Sequence, residues 1–293
     1  MQFFDLSGKW QMTSPEMPGK NVPVSLPGDN YSALLDAGII PDPYWNDNEW
    51  SVKKYSDYYW VMEREFKLDA AVLAAKRVFF EMDMADTLIR VFINGTKVLS
   101  GDNAFQFYRR EVTKLLKKGK NTIRLEFDPV LPEAARRKAR YRFPGHGAIF
   151  PTCPPAPDIQ LIRKCLCHGG WDWGVQLLVS GVYGRIGLRC ADEVIIDHLT
   201  TVQKFRGSSV QVTAVARVEA FRKCRREFTF EFAGEKRTVS VMLSRGVNEV
   251  KAVFEMASPK LWWPNGYGEQ PLYDLKATCG ECEKSVRIGI RNL

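Results

Sequence analysis

The chain has 293 residues, of which 45% are hydrophobic and 26% are charged. This length suffices for about two domains of ordinary size, and the composition excludes a disordered or fibrous protein. Lys and Arg exceed Asp and Glu by 42 to 34, a formal charge of +8, but both signs are interspersed, so the excess does not by itself indicate a nucleic-acid-binding protein.

The sequence also bears on the compartment. No stretch approaches the ~20 consecutive apolar residues of a membrane span, and the first eight residues lack the basic and apolar regions of a secretory signal. The seven cysteines, an odd number, suit a reducing compartment better than a disulfide scaffold. We therefore expect a soluble, cytoplasmic protein whose partners include neither a membrane nor a nucleic acid.

The first part of the chain has the pattern of short β-strands separated by turns. Asn94-Gly95 lies between two of them and is a strong hairpin signal, because both turn positions need a positive φ. Helical pieces are predicted only at 30–37 and 111–116. Strands are predicted at 57–68, 77–82, 87–93, 97–99 and 121–127.

The stretch 128–160 differs in texture. It holds seven of the sixteen prolines, together with the basic run at 136–142. These features predict a long loop, and we interpret the basic run as a solvated rim. A strand-like sequence pattern resumes at 165 and again over 175–190.

A second β unit begins near Asp192. Its strand spacing and its length of about 100 residues are typical of an immunoglobulin-like sandwich. We predict an all-β protein with a jelly-roll, galactose-binding-domain-like sandwich over 1–191 and an immunoglobulin-like sandwich over 192–293. The strands predicted for the second unit are 195–203, 209–218, 227–232, 236–243, 248–254, 272–278 and 283–290.

The densest functional signal is Trp171-Asp172-Trp173, which follows Gly169-Gly170. Two indoles beside a carboxylate are suited to a sugar-binding wall, because an aromatic face packs against the C–H face of a pyranose while the carboxylate accepts hydrogen bonds from hydroxyls. His168 adds to a polar pocket here. The alternative is that the indoles lie in a core and Asp172 caps a turn. Such a wall binds but does not by itself cleave, because a glycosidase needs two carboxylates across the scissile bond.

Two further motifs each have two interpretations. Asn48-Glu49 could supply a general acid, but a loop rich in Pro, Asn and aromatic residues more commonly ties the chain down through its side chains, which we favour. Trp262-Trp263 could form a carbohydrate platform, but a tandem Trp before a Pro-Asn-Gly turn can also cover the end of a sandwich, and we favour packing.

The cysteines raise the possibility of zinc. Cys279 and Cys282 form a CxxC pair, and Cys165, Cys167 and His168 lie in one short stretch. The two clusters are far apart in the chain, and the CxxC is predicted to be a turn between two strands. We therefore expect neither a metal nor another cofactor.

Several of these motifs occur in the order found in one family. The chain resembles the N-terminal part of a glycoside hydrolase family 2 enzyme and, within that family, the β-mannosidases. The most telling element is Arg163-Lys164, then five intervening residues, then Gly170-Trp-Asp-Trp-Gly174. Tyr31, where many relatives have His, and Val175, where Pro is usual, depart from the pattern. The other matching motifs are Leu6-Ser-Gly-Lys-Trp10, Leu26-Pro-Gly-Asp29, Pro41-Asp-Pro-Tyr44, Asp86-Thr87 with Val91-Phe-Ile-Asn-Gly95, Leu261-Trp-Trp-Pro264, Pro271-Leu-Tyr273 and Arg287-Ile-Gly-Ile-Arg291.

The resemblance implies a division of labour. In this family both catalytic glutamates come from a (β/α)8 barrel that follows the immunoglobulin-like domain and needs ~250 further residues. The resemblance therefore implies no catalytic residue in this chain. The expectation is the non-catalytic part of an exo-acting, retaining β-mannosidase, inactive alone, in which Trp171, Asp172, Trp173 and His168 hold a terminal mannose. Its partners would be a β-mannoside or mannooligosaccharide and the barrel of the same polypeptide. The alternatives are a free-standing carbohydrate-binding protein and another family 2 activity, such as exo-β-glucosaminidase or β-galactosidase.

Overall fold

The computed structural model describes residues 3–68, 70–141, 156–171 and 173–292. The chain divides into two compact units, residues 2–190 and residues 191–293. Both are β-rich and each has its own apolar core, so the predicted all-β sandwich class is confirmed. None of the helices described is long and apolar enough to cross a membrane.

The first unit is a sandwich of two sheets. A six-stranded sheet has the order β3-β2-β5-β11-β8-β9, and a four-stranded sheet has the order β1-β13-β6-β10. Alternation places Ile89, Val91 and Ile93 of one strand in the core, where they join the buried rings of Trp60 and Phe127. The strands are β1 Phe3–Asp5, β2 Gly8–Thr13, β3 Val22–Leu26, β4 Gly28–Asp29, β5 Trp60–Leu68, β6 Arg77–Met82, β7 Ala85–Asp86, β8 Ile89–Ile93, β9 Thr96–Gly101, β10 Tyr108–Glu111, β11 Gly119–Phe127, β12 Gly181–Val182 and β13 Ile186–Ala191.

Short helices connect these strands. The helix predicted at 30–37 is confirmed, and it begins where the Asp29 carboxylate accepts the Ser32 N–H at 2.9 Å. The helical turn predicted at 111–116 is a 3-10 helix, Thr113–Leu115. The α-helices are α1 Asn30–Asp36, α2 Asn48–Val52, α3 Ala70–Ala74 and α4 Val130–Lys138, and the other 3-10 helices are Lys53–Asp57, Ile159–Leu161 and Leu166–Gly169.

The prediction of a long loop over 128–160 is wrong for the residues that form α4. Pro129 lies just before the helix and Pro132 lies in its first turn, where no backbone N–H is needed, so neither proline opposes the helix. Glu133 bonds to Arg136 at 2.5 Å and to Arg137 at 2.7 Å, one helical turn away. Part of the predicted loop, residues 142–155, lies outside the described residues.

The interpretation of the basic run at 136–142 as a solvated rim is wrong for Arg137. This residue also bonds to Asp102 at 2.7 Å and to the Leu161 carbonyl at 2.9 Å. The strand expected from 165 is also wrong. A 3-10 helix, Leu166–Gly169, stands there, because its backbone groups bond locally, as in the His168 N–H to Cys165 carbonyl bond of 3.2 Å.

The second unit is a sandwich of two sheets, with the orders β14-β15-β18 and β17-β16-β19-β20. All seven strands predicted for it are confirmed. Its core is rich in phenylalanine, with Phe228, Phe230, Phe232 and Phe254 all buried. The strands are β14 Val194–Arg206, β15 Ser209–Ala220, β16 Cys224–Phe232, β17 Glu235–Leu243, β18 Gly246–Ala257, β19 Tyr273–Cys279 and β20 Cys282–Ile288.

The CxxC pair forms the predicted turn. Cys279 ends β19, Cys282 begins β20, and the two residues pair across the hairpin. Both are buried in the core. Burial, followed by the neighbouring Cys282, raises the pKa of Cys279 to about 11, so its thiol stays protonated at neutral pH.

Candidate functional site

The candidate site is built around a third, small sheet of the first unit, with the order β4-β12-β7. Its register pairs Gly181 with Asp29 on one side and with Asp86 on the other. A Cβ at Gly181 would lie 2.2 Å from the Gly28 carbonyl oxygen and 2.7 Å from the Asp29 Cα. Only glycine therefore fits between the two strands that carry the carboxylates.

Asp86 and Lys164 form a buried ion pair beside this sheet. Each is about 2% exposed, and the Lys164 Nζ lies 2.7 Å from the Asp86 Oδ2. The same ammonium donates to the Val179 carbonyl at 2.7 Å, and the Thr87 hydroxyl donates to Asp86 Oδ1. Burial lowers the pKa of Lys164, against the attraction of Asp86. The pair therefore anchors the segment around 164 to the strand that carries Asp86.

His168 extends this pair toward the surface. Its Nδ1 lies 3.2 Å from Asp86 Oδ2, without the alignment of a hydrogen bond, and its side chain is 30% exposed. The ring of Tyr183 lies 6.5 Å from the imidazole, centroid to centroid. Burial, reinforced by Asp29 and Asp86, raises the pKa of Tyr183, so the phenol stays protonated and able to donate. The structure thus brings His168 into a polar cluster, and its role toward a ligand stays a prediction.

The two indoles of the tryptophan motif are exposed. Trp171 is 37% exposed and Trp173 is 71% exposed, with ring centroids 6.3 Å apart. The backbones of Trp171 and Gly174 bond to each other in both directions, at 3.4 and 3.5 Å, and close a tight turn. The alternative that these indoles lie in the core is therefore wrong. Asp172, the residue between them, lies outside the described residues.

The segment that follows the tryptophan turn is held by side chains from distant parts of the first unit. The Glu49 carboxylate accepts the Gln176 N–H at 2.8 Å. Ser56 accepts the Leu178 N–H at 3.0 Å, and Asn30 accepts the Ser180 N–H at 2.8 Å. The interpretation of Glu49 as a tie that holds the chain is confirmed.

The chemistry available here is binding. The Asp29 carboxylate caps α1, and the Asp86 carboxylate is neutralised by Lys164. Two exposed indoles remain, whose faces are the kind of surface on which an apolar ligand face packs. In the described part of the chain, no three His, Cys, Asp or Glu side chains are grouped so that they could hold a metal ion.

The sequence interpretation missed the link between Asp86 and Lys164. Both residues stood in recognised motifs, but nothing local joined them, because they are distant in the chain. The available signal was that Asp86 lies between two apolar strands, 77–82 and 89–93, where a carboxylate needs a cationic partner.

The tandem tryptophan of the second unit is only partly packed. Trp262 is half-buried and lies against Gly289, where an added Cβ would come within 3.0 Å of it. Trp263 is 46% exposed and lies against Gly268 in the same way, at 2.7 Å. Packing on glycine backbones thus accounts for the position of both rings, while one of them remains accessible.

Comparison with known families gives two matches along the chain. Residues 10–184 match the glycosyl hydrolase 2 galactose-binding domain-like family, and residues 195–291 match the glycosyl hydrolases family 2.

Curated relatives match nearly the whole chain. It is similar to beta-mannosidase B of Thermothelomyces thermophilus, with 33% identity over 98% of this chain and 34% of the relative. It is also similar to beta-mannosidase B of Emericella nidulans, with 30% identity over 91% of this chain and 32% of the relative. The chain therefore spans about a third of the length of these relatives.

Solved structures share the fold. The chain is similar to the beta-D-mannosidase of Dictyoglomus thermophilum, with a TM-score of 0.91 and 24% identity over 99% of this chain and 36% of that one. It is also similar to an exo-chitosanase of Amycolatopsis orientalis, with a TM-score of 0.72 and 19% identity over 100% of this chain and 34% of that one.

Proposed function

Because the chain belongs to glycosyl hydrolase family 2, we propose that it is the N-terminal, sugar-contacting portion of an exo-acting, retaining β-mannosidase. The observation that carries the proposal is the pair of exposed indoles, Trp171 and Trp173, on a tight turn. Two large rings left in water gain no stability from burial, so such a surface indicates binding. The curated relatives named beta-mannosidase B support mannose as the sugar.

In this proposal the portion supplies one wall of the substrate pocket. The indole faces of Trp171 and Trp173 pack against the C–H face of the terminal mannose, and His168 and Asp172 bond to its hydroxyls. The buried Asp86–Lys164 pair holds the segment that leads into the tryptophan turn, and such anchoring lowers the entropy lost on binding. Because this wall closes one side of the substrate pocket, only the end of a sugar chain can enter, which gives exo action.

The catalytic carboxylates belong to the rest of the polypeptide. A retaining glycosidase places two carboxylates ~5–5.5 Å apart, one as nucleophile and one as acid and base. The relatives are about three times longer than this chain, which leaves room for a barrel that carries both. We assign residues 1–191 to the sugar-binding domain and 192–293 to the immunoglobulin-like domain that joins it to the barrel. The 293-residue chain alone should hydrolyse nothing.

The test is hydrolysis of p-nitrophenyl glycosides by the complete protein and by this chain alone. The complete protein should cleave the β-mannoside in preference to the β-glucosaminide and β-galactoside, with retention seen by proton NMR of the first product anomer. Asp172→Ala should lower kcat/KM about 10- to 100-fold, because a hydrogen bond from a charged group to a sugar contributes about 1.5–3 kcal/mol. Trp171→Ala should lower it about 5- to 10-fold, because a stacking contact contributes about 0.5–1.5 kcal/mol.

The matched control for these variants is Tyr267→Ala, which removes an 81% exposed ring from the second unit and should leave kcat/KM unchanged. Unchanged kcat/KM in both Asp172→Ala and Trp171→Ala would refute the assignment. A complete protein that binds mannosides and cleaves none of the three glycosides would instead favour a carbohydrate-binding protein.

A further inference from the structure

A second group of exposed aromatic rings lies in the first unit, apart from the tryptophan motif. Within residues 42–50, here named the aromatic loop, Tyr44 is 78% exposed, Trp45 is 74% exposed and Trp50 is 68% exposed. Rings of this size are usually placed where they bury area on folding or on binding. Three such rings remain exposed to water within one short segment of the folded chain, which indicates a binding surface.

The aromatic loop is ordered by its own polar groups. Asp42 accepts the Tyr44 N–H on its carboxylate at 2.9 Å and, on its carbonyl, the Trp45 N–H at 3.1 Å and the Asn48 side-chain amide at 2.9 Å. The Trp50 N–H bonds to the Asp47 carbonyl at 3.1 Å. A ligand that meets these rings therefore meets a preformed frame, which lowers the entropy lost on binding.

The aromatic loop is also tied to the segment that leaves the tryptophan turn. Glu49, the residue before Trp50, accepts the backbone N–H of Gln176 at 2.8 Å, and Gln176 stands two residues after Gly174. The backbones that carry Trp50 and the Trp171–Trp173 turn are therefore held together. The aromatic loop thus lies beside the segment that follows the tryptophan turn.

The composition of the aromatic loop points to a saccharide rather than a protein. Its rings share the segment with the short polar side chains of Asp42, Asn46 and Asp47, which are all exposed to solvent. Carboxylates are depleted at the centres of protein interfaces, whereas saccharide sites combine aromatic faces with convergent polar groups. The ammonium of Lys53, 5.1 Å from the centre of the Trp50 ring, adds a donor for hydroxyls.

We infer that the aromatic loop is a second carbohydrate subsite, which takes the sugar units that follow the terminal mannose of a β-linked mannooligosaccharide. The inference rests on the proposed function, because it assumes that the terminal unit lies on Trp171 and Trp173. It adds a preference for long substrates and assigns that preference to Tyr44, Trp45 and Trp50.

The test is the affinity of this chain for mannose and for β-1,4-mannooligosaccharides of two to six units, measured by titration calorimetry. Affinity should rise about 10-fold or more from mannose to the hexamer, since each added stacking contact contributes about 0.5–1.5 kcal/mol. Trp45→Ala and Trp50→Ala should each lower hexamer affinity about 5- to 10-fold and leave mannose affinity unchanged. Trp50→Phe should retain part of the effect.

Phe105→Ala is the matched control, because it removes a 66% exposed ring elsewhere in the same unit, and it should bind the hexamer like the wild type. Circular dichroism should be unchanged in every variant, since each removed ring is exposed. Equal affinity for all lengths, or hexamer affinity that Trp45→Ala and Trp50→Ala leave intact, would overturn the inference.

Three outcomes separate the inference from the proposed function. If mannose binding depends on Trp171 but does not grow with length, only the second subsite is wrong. If the chain binds no mannoside of any length while the complete protein cleaves the aryl β-mannoside, the inference fails and the proposed function stands. If hydroxyl-radical footprinting of the complete protein without sugar protects residues 42–50, the rings are covered by the polypeptide itself, which also overturns the inference.

Discussion

Each of the two β units contains segments that are held in place by a different kind of internal contact. In the second unit β15 alternates between partly exposed residues and the buried Val210, Val212 and Ala214, and the core is the sum of such stripes. In the first unit the segment 176–180 follows no such alternation and is fixed by the polar side chains of Asn30, Glu49 and Ser56.

This difference affects which region can carry a binding site. An apolar stripe positions a strand by burying every second side chain, so those side chains are not available to a ligand. The polar ties at 176–180 instead fix the backbone directly after the turn that exposes Trp171 and Trp173. The candidate site therefore lies where the fold relies on individual polar contacts, and loss of one such contact should be felt locally.

The largest expected effect is at the buried pair. Asp86→Ala should destabilise the first unit by about 3–5 kcal/mol, because it leaves the ammonium of Lys164 buried and unpaired. Urea unfolding followed by circular dichroism measures the loss, and hydrogen exchange at β4, β7 and β12 localises it. The control is Glu65→Ala, which breaks an exposed pair with Lys120, 61% and 64% exposed, and should cost less than about 1 kcal/mol.

A double variant sharpens this prediction. Asp86→Leu with Lys164→Met replaces the pair by apolar side chains and should recover a large part of the loss, since the cost lies in the uncompensated charge. If Asp86→Ala costs no more than Glu65→Ala, the buried pair does not hold the site and the contrast between the two units fails.

The second unit should respond to the loss of apolar volume. Leu275→Ala should cost about 3 kcal/mol, because Leu275 is fully buried between the sheets and its removal leaves a cavity. Leu272→Ala, a change at a 46% exposed side chain, should cost about 0.5 kcal/mol or less. Urea unfolding of both variants gives the comparison, and similar losses in the two would contradict the assigned core.

The sequence could predict the second unit because its signal is local. Strands such as β15, β16 and β18 alternate between buried and partly or fully exposed side chains, so each pattern is complete within about ten residues. In the first unit, Asp86 and Lys164 carry no local sign of each other, and Glu49 bonds to a residue 127 positions away. The exposure of Trp171 and Trp173 could not be decided from the sequence, because two indoles beside an Asp suit a binding wall as well as a core with a capped turn. Helix α4 was missed because Pro129 and Pro132 suggest a loop, although the first turn of a helix accepts proline.

A smaller effect is expected where the small sheet closes around glycine. Gly181→Ala should cost about 2 kcal/mol, because its Cβ would meet backbone atoms of Gly28 and Asp29 that cannot move aside. Gly174→Ala is the matched control, since a Cβ there meets nothing within 4 Å, and it should cost about 0.5–1 kcal/mol or less. Thermal unfolding distinguishes them, and equal midpoints for the two variants would argue against the close approach of β4 and β12.

The smallest effect concerns α4, whose ion pairs should stabilise the first unit in a pH-dependent way. Hydrogen bonds from Arg136 and Arg137 lower the pKa of Glu133 from 4.5 to about 2. Because the folded pKa lies below the unfolded one, this stability is complete above pH 4.5 and is lost as the pH falls toward about 2. Glu133→Gln should therefore cost about 0.5–1 kcal/mol at pH 7, as is usual for ion pairs one turn apart on a helix, and this cost should shrink as the pH falls toward about 2. Urea unfolding of both proteins over this pH range measures the difference, with Glu249→Gln, from the exposed pair with Lys251, as a control of near-zero effect throughout. A Glu133→Gln cost that stays constant down to pH 2 would mean that packing of the side chain, rather than its charge, stabilises the helix.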